Sequence, residues 1–391
     1  MLIYLIISTV IFVVALFVLY WLHSQHTLDI VTTPAPPPPG GPRISVIIPA
    51  RNEEVNIQRC VEAALAQDYP NFQVLVLDDR STDSTPAILT KLSTGDSRLI
   101  ILFGNELPEG WVGKPHALHQ AARSATGDWL CFVDADTFLE PNALSAVLHG
   151  ATKTGADLYT IMTTQVMGTF WEKAVLPLVL TALSVGFSPR KVNDPKRRDA
   201  VANGQFILIK RSVYDAIGGH EAIKNQIVED KAISEQVKWN GYRLVLANGY
   251  AFAKTRMYTS LPSLWEGWTK NIYLGLKDHP AMLLLGAFGA FLALMATLFM
   301  PFWPLFGLAW YFNGGGLQAV LVLVEALLAW AVMLYARARV ARAMRISGWY
   351  ALTTPLGAGV FAAMMFTSAW KVLSGQGVTW KGRAYDPKVV R

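Results

Sequence analysis

The sequence predicts an α/β domain built on a mainly parallel, doubly wound sheet and joined to α-helical membrane segments. Three observations carry this. From Ile44 to about Arg256, short β-rich apolar runs alternate with stretches of helical periodicity, the pattern of strands linked by crossover helices. Several of those strands end in carboxylates, at the edge where an open α/β sheet binds its ligands. Apolar residues also crowd the two ends of the chain. Of 391 residues 52% are hydrophobic and 16% charged, with a mean hydropathy of +0.32, too apolar for an ordinary soluble enzyme.

Residues 1–22 form an uncharged apolar run long enough to span a bilayer. With no basic flank and no small-residue cleavage site it reads as a retained anchor rather than a signal peptide. Residues 23–42, proline-rich from Thr32 to Pro42, read as a semi-rigid extended stalk. In the globular stretch, residues 43–278, strands are expected at Ile44–Pro49, Phe72–Leu77, Leu99–Phe103 and Trp129–Val133, and helices at Glu53–Gln67, Ser84–Leu92, His116–Ala125 and Lys231–Asn240. The first helix carries Ile57, Cys60, Val61, Ala64 and Leu65 on one face. Ser81 or Asp83 stands where it can cap the second.

The segment near 171–187, Trp171 to Phe187, is interrupted by Pro177 and too short to span. It reads as an interfacial helix whose following cations, Arg190, Lys191, Lys196, Arg197 and Arg198, suit anionic headgroups. The alternative is a buried core helix with a solvated basic loop. Residues 279–371 are membrane-like: Ala281–Met300 and Leu317–Tyr335 are long enough to cross, on either side of the neutral loop Asn313–Gly316. Trp349–Trp370 either crosses again or is broken by Pro355, Gly357 and Gly359 into a re-entrant shape. Arg337, Arg339, Arg342 and Arg345 place their loop in the cytoplasm, and the globular domain with it. The expectation is a multi-pass protein of the cell membrane ending in a basic tail, residues 372–391.

A net charge of +6, lying largely beside apolar segments, points to anionic lipid or phosphate and away from nucleic acid. Cys60 and Cys131 fall in a predicted helix and strand, the places of small buried hydrophobes, so no disulfide framework is expected. No feature sets an oligomeric state.

Four polar clusters carry chemistry: Pro49-Ala50-Arg51-Asn52-Glu53-Glu54, Asp78-Asp79, Asp134-Ala135-Asp136 at the end of the strand Trp129–Val133, and Glu229-Asp230 beyond Gly218-Gly219-His220. Singly, each has an ordinary reading as a helix cap, a first-turn acid or a solvated turn. Together, three acid-bearing strand ends in one crevice repel one another and call for a cation or a hydrogen-bonding ligand among them. Divalent ions such as Mg²⁺ or Mn²⁺ are held by one or two carboxylates with substrate phosphates completing the shell. A carboxylate beside a substrate hydroxyl serves as general base, the role read for Asp230.

The series Ile47-Ile48-Pro49-Ala50-Arg51-Asn52-Glu53, Val76-Leu77-Asp78-Asp79-Arg80-Ser81-Thr82-Asp83, Gly113-Lys114-Pro115-His116-Ala117-Leu118, Asp134-Ala135-Asp136 and Glu229-Asp230 resembles family 2 glycosyltransferases of the GT-A fold, over Arg43 to about Asn271. The anchor, the loop Trp111-Val112-Gly113-Lys114 and the tail Trp380-Lys381-Gly382-Arg383 resemble the membrane-bound branch acting on lipids, including carotenoid- and hopanoid-pathway enzymes. The resemblance implies that Ala50, Glu53 and Asp79, with Asp78 nearby, hold the nucleoside of a nucleotide-sugar donor, expected to be a UDP-sugar. It implies that Lys114 approaches the nucleotide, Asp134 the donor sugar or ribose, and Asp136 a divalent metal, Mn or Mg. Asp230, with Glu229 beside it, would be the catalytic base of an inverting transfer to a lipid acceptor such as a carotenoid, terpenoid or glycerolipid.

Processive family members carry Q-x-x-R-W beyond the base; here Trp265-Glu266-Gly267-Trp268-Thr269-Lys270-Asn271 stands instead. This suggests a single transfer, with Trp268 and Lys270 flanking acceptor or diphosphate, unless those aromatics form a membrane-interface belt. A polyprenyl-phosphate glycosyltransferase and a non-catalytic sugar-nucleotide-binding membrane protein are the alternative readings.

Overall fold

A computed structural model describes residues 2–24, 30–186, 188–276, 280–380 and 383–385. Phe187, Asp278, Lys381, Gly382 and residues 386–391, all within the expectations above, lie outside the described residues. In chain order the elements begin with α1 (Leu2–Ser24), β1 (Ile44–Ala50), α2 (Ile57–Leu65), β2 (Phe72–Asp78), α3 (Thr85–Ser93), β3 (Leu99–Phe103) and α4 (Gly113–Ser124). Next come β4 (Trp129–Val133), β5 (Thr137–Leu139), α5 (Ala143–Thr154), β6 (Leu158–Met162), β7 (Thr164–Gln165), α6 (Phe170–Gly186), α7 (Pro189–Asn193) and β8 (Phe206–Lys210). The chain continues with α8 (Arg211–Ala216), α9 (Glu229–Trp239), β9 (Leu244–Asn248), β10 (Ala253–Thr255), α10 (Leu261–Leu276), α11 (Pro280–Phe299), α12 (Trp303–Trp310), α13 (Gly316–Ala343), α14 (Thr354–Leu373), β11 (Val378–Trp380) and β12 (Arg383–Tyr385).

Two compact units share these elements. One comprises residues 27–166, 187–257 and 379–391, the other 1–26, 167–186 and 258–378. Segment 171–187 and the end of the stretch 43–278 therefore fall largely in the helical unit.

In the α/β unit, seven of the described strands form a sheet in the order β3-β2-β1-β4-β8-β6-β9, and β5, β10 and β7 form a second, smaller one. β1 and β2 are buried almost throughout, as strands covered on both faces must be. Val46 and Ile48 of β1 pack into the cluster that includes Ile57, Cys60, Val61 and Ala64 of α2. Ile47 packs on the opposite face with Ala117, Leu118 and Ala121 of α4 and with Ile233 and Val237 of α9. Helices thus cover both faces of the sheet, and the doubly wound expectation is met.

The sheet is parallel except at β8, which runs antiparallel to both β4 and β6. Its register sets Phe206 opposite Val133, so the residues leading into β8 arrive at the end of β4 where Asp134 and Asp136 follow.

α2 begins later than the periodicity suggests, because residues 52–54 bond to the β2–α3 connection instead of to a helix. The Asn52 amide donates to the Ser81 hydroxyl at 2.9 Å, that of Glu53 to the Thr85 hydroxyl at 2.9 Å and that of Glu54 to Asp83 at 3.1 Å. Such side-chain acceptors compete with helix formation, and Asn52 sits at φ +53°. Asp83 also takes the Thr85 amide at 3.0 Å, one residue ahead of the N-cap position, which is Ser84 and makes no side-chain capping bond.

The Pro-rich segment is not a free-standing stalk where it is described. The Thr32 amide donates to the Asn248 carbonyl at 2.9 Å, and the Thr32 and Tyr159 hydroxyls lie 3.0 Å apart. The Tyr69 hydroxyl donates to the Pro42 carbonyl at 2.5 Å. Prolines lack amide donors, so flanking residues and the domain's own hydroxyls bind this strap to the α/β unit.

In the helical unit, two stretches, Ala281–Ala343 and Gly348–Leu373, are helical, long and apolar enough to cross a membrane. α14 is one unbroken helix. Pro355 lies in its first turn, where a missing amide costs nothing, and Gly357 and Gly359 do not interrupt it. Leu283 and Ala287 of α11 pack with Met365 and Ala369 of α14. Ala174, Val175, Leu176 and Val179 of α6 are buried, and Gly357 of α14 approaches so closely that any Cβ there would collide with the Ala174 carbonyl.

Candidate active site

Parallel strands in the order β2-β1-β4 bring three of the polar clusters to one edge of the sheet. Ala50 pairs with Asp78 across β1 and β2, and the Asp79 amide donates to the Ala50 carbonyl at 2.7 Å. Arg51 closes this corner, its Nη1 donating to the Asp79 carbonyl at 2.6 Å. On the other side of β1, Cys60 of α2 donates its thiol to the Asp134 carbonyl at 3.6 Å. Burial, and then the fields of Asp136, Glu53 and Asp134, push the Cys60 thiol well above its ordinary pKa. That shift reports acids from two strand ends converging on one place.

The fourth cluster arrives on α9, whose first turn contains Glu229 and Asp230. These residues begin a helix and also line the crevice. Lys114, in the first turn of α4, joins the clusters, its Nζ lying 2.6 Å from Asp134 Oδ1 and 2.5 Å from Glu229 Oε1. Burial alone would lower the Lys114 pKa, but Asp134 and Glu229 outweigh it and hold the ammonium well above its ordinary value. Burial raises the Glu229 carboxyl, and Lys114 offsets part of the rise.

Asp230 is held by backbone. Its Oδ2 accepts from the Gly204 amide at 3.0 Å and its Oδ1 from the Lys231 amide at 2.7 Å. A Cβ at Gly204 would come within 3.1 Å of Asp230 Oδ2, so a side chain there would press on the carboxylate that its amide holds. Burial raises the Asp230 pKa, while Lys114 and the two amides pull it back. Lys114, Asp134, Gly204, His220, Glu229 and Asp230 are among the residues closing around a cavity of about 10 Å³, room for about one water.

Gly204 and His220 were not among the residues read as functional from sequence. For His220 a signal existed in the preceding glycines. Gly219 has φ +51°, and a Cβ there would meet the Tyr214 ring at 2.6 Å. Freed of that clash, the Tyr214 hydroxyl accepts the His220 amide at 3.2 Å and lies 2.8 Å from Nδ1. The hydroxyl can accept the amide and still either donate to Nδ1 or accept from it, according to the ring tautomer. Burial, then Lys114 and His119, lower the His220 pKa to about 3, so the ring lining the cavity is neutral.

Trp268 and Lys270 lie on α10 in the helical unit. Trp268 is 6% exposed and packs near Tyr258, with ring centroids 6.4 Å apart; a side chain so enclosed by protein has little surface left to offer an interface belt.

Residues 45–218 match the family model for glycosyl transferase family 2. The 4,4'-diaponeurosporenoate glycosyltransferase of Staphylococcus aureus (strain MRSA252) is 27% identical over 349 residues, covering 88% of each chain. The protein of the same name from strain USA300 is 29% identical over 237 residues, 59% of this chain and 61% of that one. Among solved structures, the mannosyltransferase PcManGT from Pyrobaculum calidifontis, in complex with GDP-Man and Mn²⁺, superposes with a TM-score of 0.55 at 19% identity, over 95% of this chain and 98% of that one.

Proposed function

We propose that this chain, whose residues 45–218 match the family model for glycosyl transferase family 2, is a membrane-anchored, inverting enzyme moving one sugar from a UDP-sugar to a lipid hydroxyl or carboxyl at the cytoplasmic face of the cell membrane. The observation that carries this reading is the Lys114 bridge between Asp134 and Glu229, beside an Asp230 carboxylate fixed by two backbone amides. Lipid as acceptor draws its support from the two membrane-length helical stretches and from the carotenoid-acid relatives. Uridine rests on the family resemblance.

Roles follow from chemistry. The corner of Ala50, Glu53, Asp78 and Asp79 receives the nucleoside. Lys114, at the positive end of α4, receives the diphosphate. Among the described residues no group of three or more His, Cys, Asp or Glu forms a self-sufficient metal cage. Such a donor set suits a hard ion that takes one or two carboxylates and completes its shell with phosphate oxygens. Asp136, with Asp134 beside it, would hold Mn²⁺ or Mg²⁺, which supplies Lewis-acid neutralisation of charge on the leaving diphosphate.

Asp230 takes the proton of the acceptor hydroxyl as its oxygen bonds to the anomeric carbon. The bond from that carbon to the diphosphate oxygen breaks with its electron pair, and attack from the opposite face inverts the centre. Donor turnover, followed as UDP release from purified full-length protein, tests the reading. Turnover is expected to vanish with EDTA and return with Mn²⁺ or Mg²⁺; undiminished turnover in EDTA would contradict the metal role, and none with any nucleotide sugar would indicate a binding protein.

A further inference from the structure

The helical unit encloses a cation for which the described residues supply no anion. Arg337 of α13 is 6% exposed. Its Nη2 donates to the Ala174 carbonyl of α6 at a long 3.3 Å, and its Nε and Nη1 are buried with no hydrogen-bond partner. A guanidinium has five N–H donors, and a buried charge without a counter-charge is among the least tolerable features of a fold. Buried polar atoms left unsatisfied point to an unseen group that completes them.

No described acid of the unit completes this one. Glu325 lies roughly 18 Å away along α13, at a rise of about 1.5 Å per residue, and its Oε1 takes the Thr9 hydroxyl. Glu172 of α6 turns its carboxylate to the amides of Gly168 and Thr169 at 3.0 and 2.5 Å. The nearby charges are cationic: Lys173, whose ammonium sits 5.9 Å from the Tyr350 ring centre, and Arg339 and Arg342 farther along α13. Over residues 1–26, 167–186 and 258–378 the sequence holds four acids against eight lysines and arginines, so anions are scarce there, and none among the described residues is paired with Arg337.

Arg337 belongs to a helical stretch apolar and long enough to cross a membrane. An ionisable residue held inside such a bundle marks a ligand or substrate path, and basic sites between membrane helices take lipid headgroups. We propose that Arg337 anchors a binding site for the oxyanion of a membrane lipid, a phosphodiester or carboxylate seated on the guanidinium beside α6 and α13. Arginine suits that ligand because its planar fork matches both groups. This inference stands apart from the sugar-transfer site.

The test uses the full chain, delipidated in an uncharged maltoside detergent and titrated separately with phosphatidylglycerol and with inorganic phosphate. Native mass spectrometry and thermal melting are the readouts. Wild type is expected to retain one phosphatidylglycerol and melt higher with it. The Kd should weaken at least tenfold in Arg337→Gln and less in Arg337→Lys, which keeps the charge without the fork. A rise in melting temperature with inorganic phosphate alone would overturn the lipid as ligand. Equal phosphatidylglycerol binding by wild type and both variants would overturn the site. If Arg337→Gln does not fold, wild type and Arg337→Lys decide: no retained lipid and no shift in wild type contradicts the proposal.

Discussion

Asp230→Asn is expected to lower kcat for transfer to a hydroxyl by about 10²–10⁴-fold, the usual worth of a positioned general base, with the donor Kd changed by no more than about twofold. The amide keeps the shape of the carboxylate but cannot take the acceptor proton. It also meets two backbone donors, Gly204 and Lys231, and has oxygen for only one. The other amide loses its acceptor, at a cost of about 1–3 kcal/mol if it remains buried. Single-turnover transfer and donor titration, with a melting curve on the same sample, separate lost chemistry from lost folding. Full activity in the variant would refute the base assignment.

The second large effect is expected of Lys114→Met. Burial drives the Glu229 and Asp230 carboxyls up, and Lys114 pulls both back. Without the ammonium both pKa values rise further. The acid limb of kcat/KM, which reports the free enzyme, therefore moves to higher pH, and the donor KM rises at least about tenfold as the diphosphate loses its counter-charge. Stability carries a related sign. A carboxyl whose pKa is raised by folding favours the folded state while both states are protonated. That advantage is lost as pH rises from the ordinary carboxylate value to the raised one. The melting temperature of Lys114→Met should fall more across that interval than that of wild type. An acid limb that stays put or moves down would remove Lys114 from its assigned role.

Much of the α/β frame is legible in the sequence because it is local. Val46, Ile47 and Ile48 read as a buried strand because all three are apolar and β-branched, and Asp78 and Asp134 announce strand ends because acids cannot continue a buried strand. What is not legible depends on pairing at a distance. The reversal of β8 follows from its neighbours, and it carries Gly204 beside the end of β4, where its amide reaches Asp230. The strap at Thr32 depends on Tyr159 and Asn248, which no local pattern ties to a proline-rich segment. Lys114 reads from sequence as a nucleotide ligand, but its simultaneous grip on Asp134 and Glu229 requires α4, β4 and α9 to meet. Arg337 reads as one of a cytoplasmic row of arginines; only packing against Ala174 separates it from Arg339 and Arg342.

The central claim is that this crevice transfers a sugar to a lipid. Mass spectrometry of membrane lipids from cells expressing wild type, Asp230→Asn or neither tests it most directly. The expected result is a lipid heavier by one sugar residue that appears with wild type alone. An unchanged lipid profile, with the wild-type protein folded and present in the membrane, would contradict it.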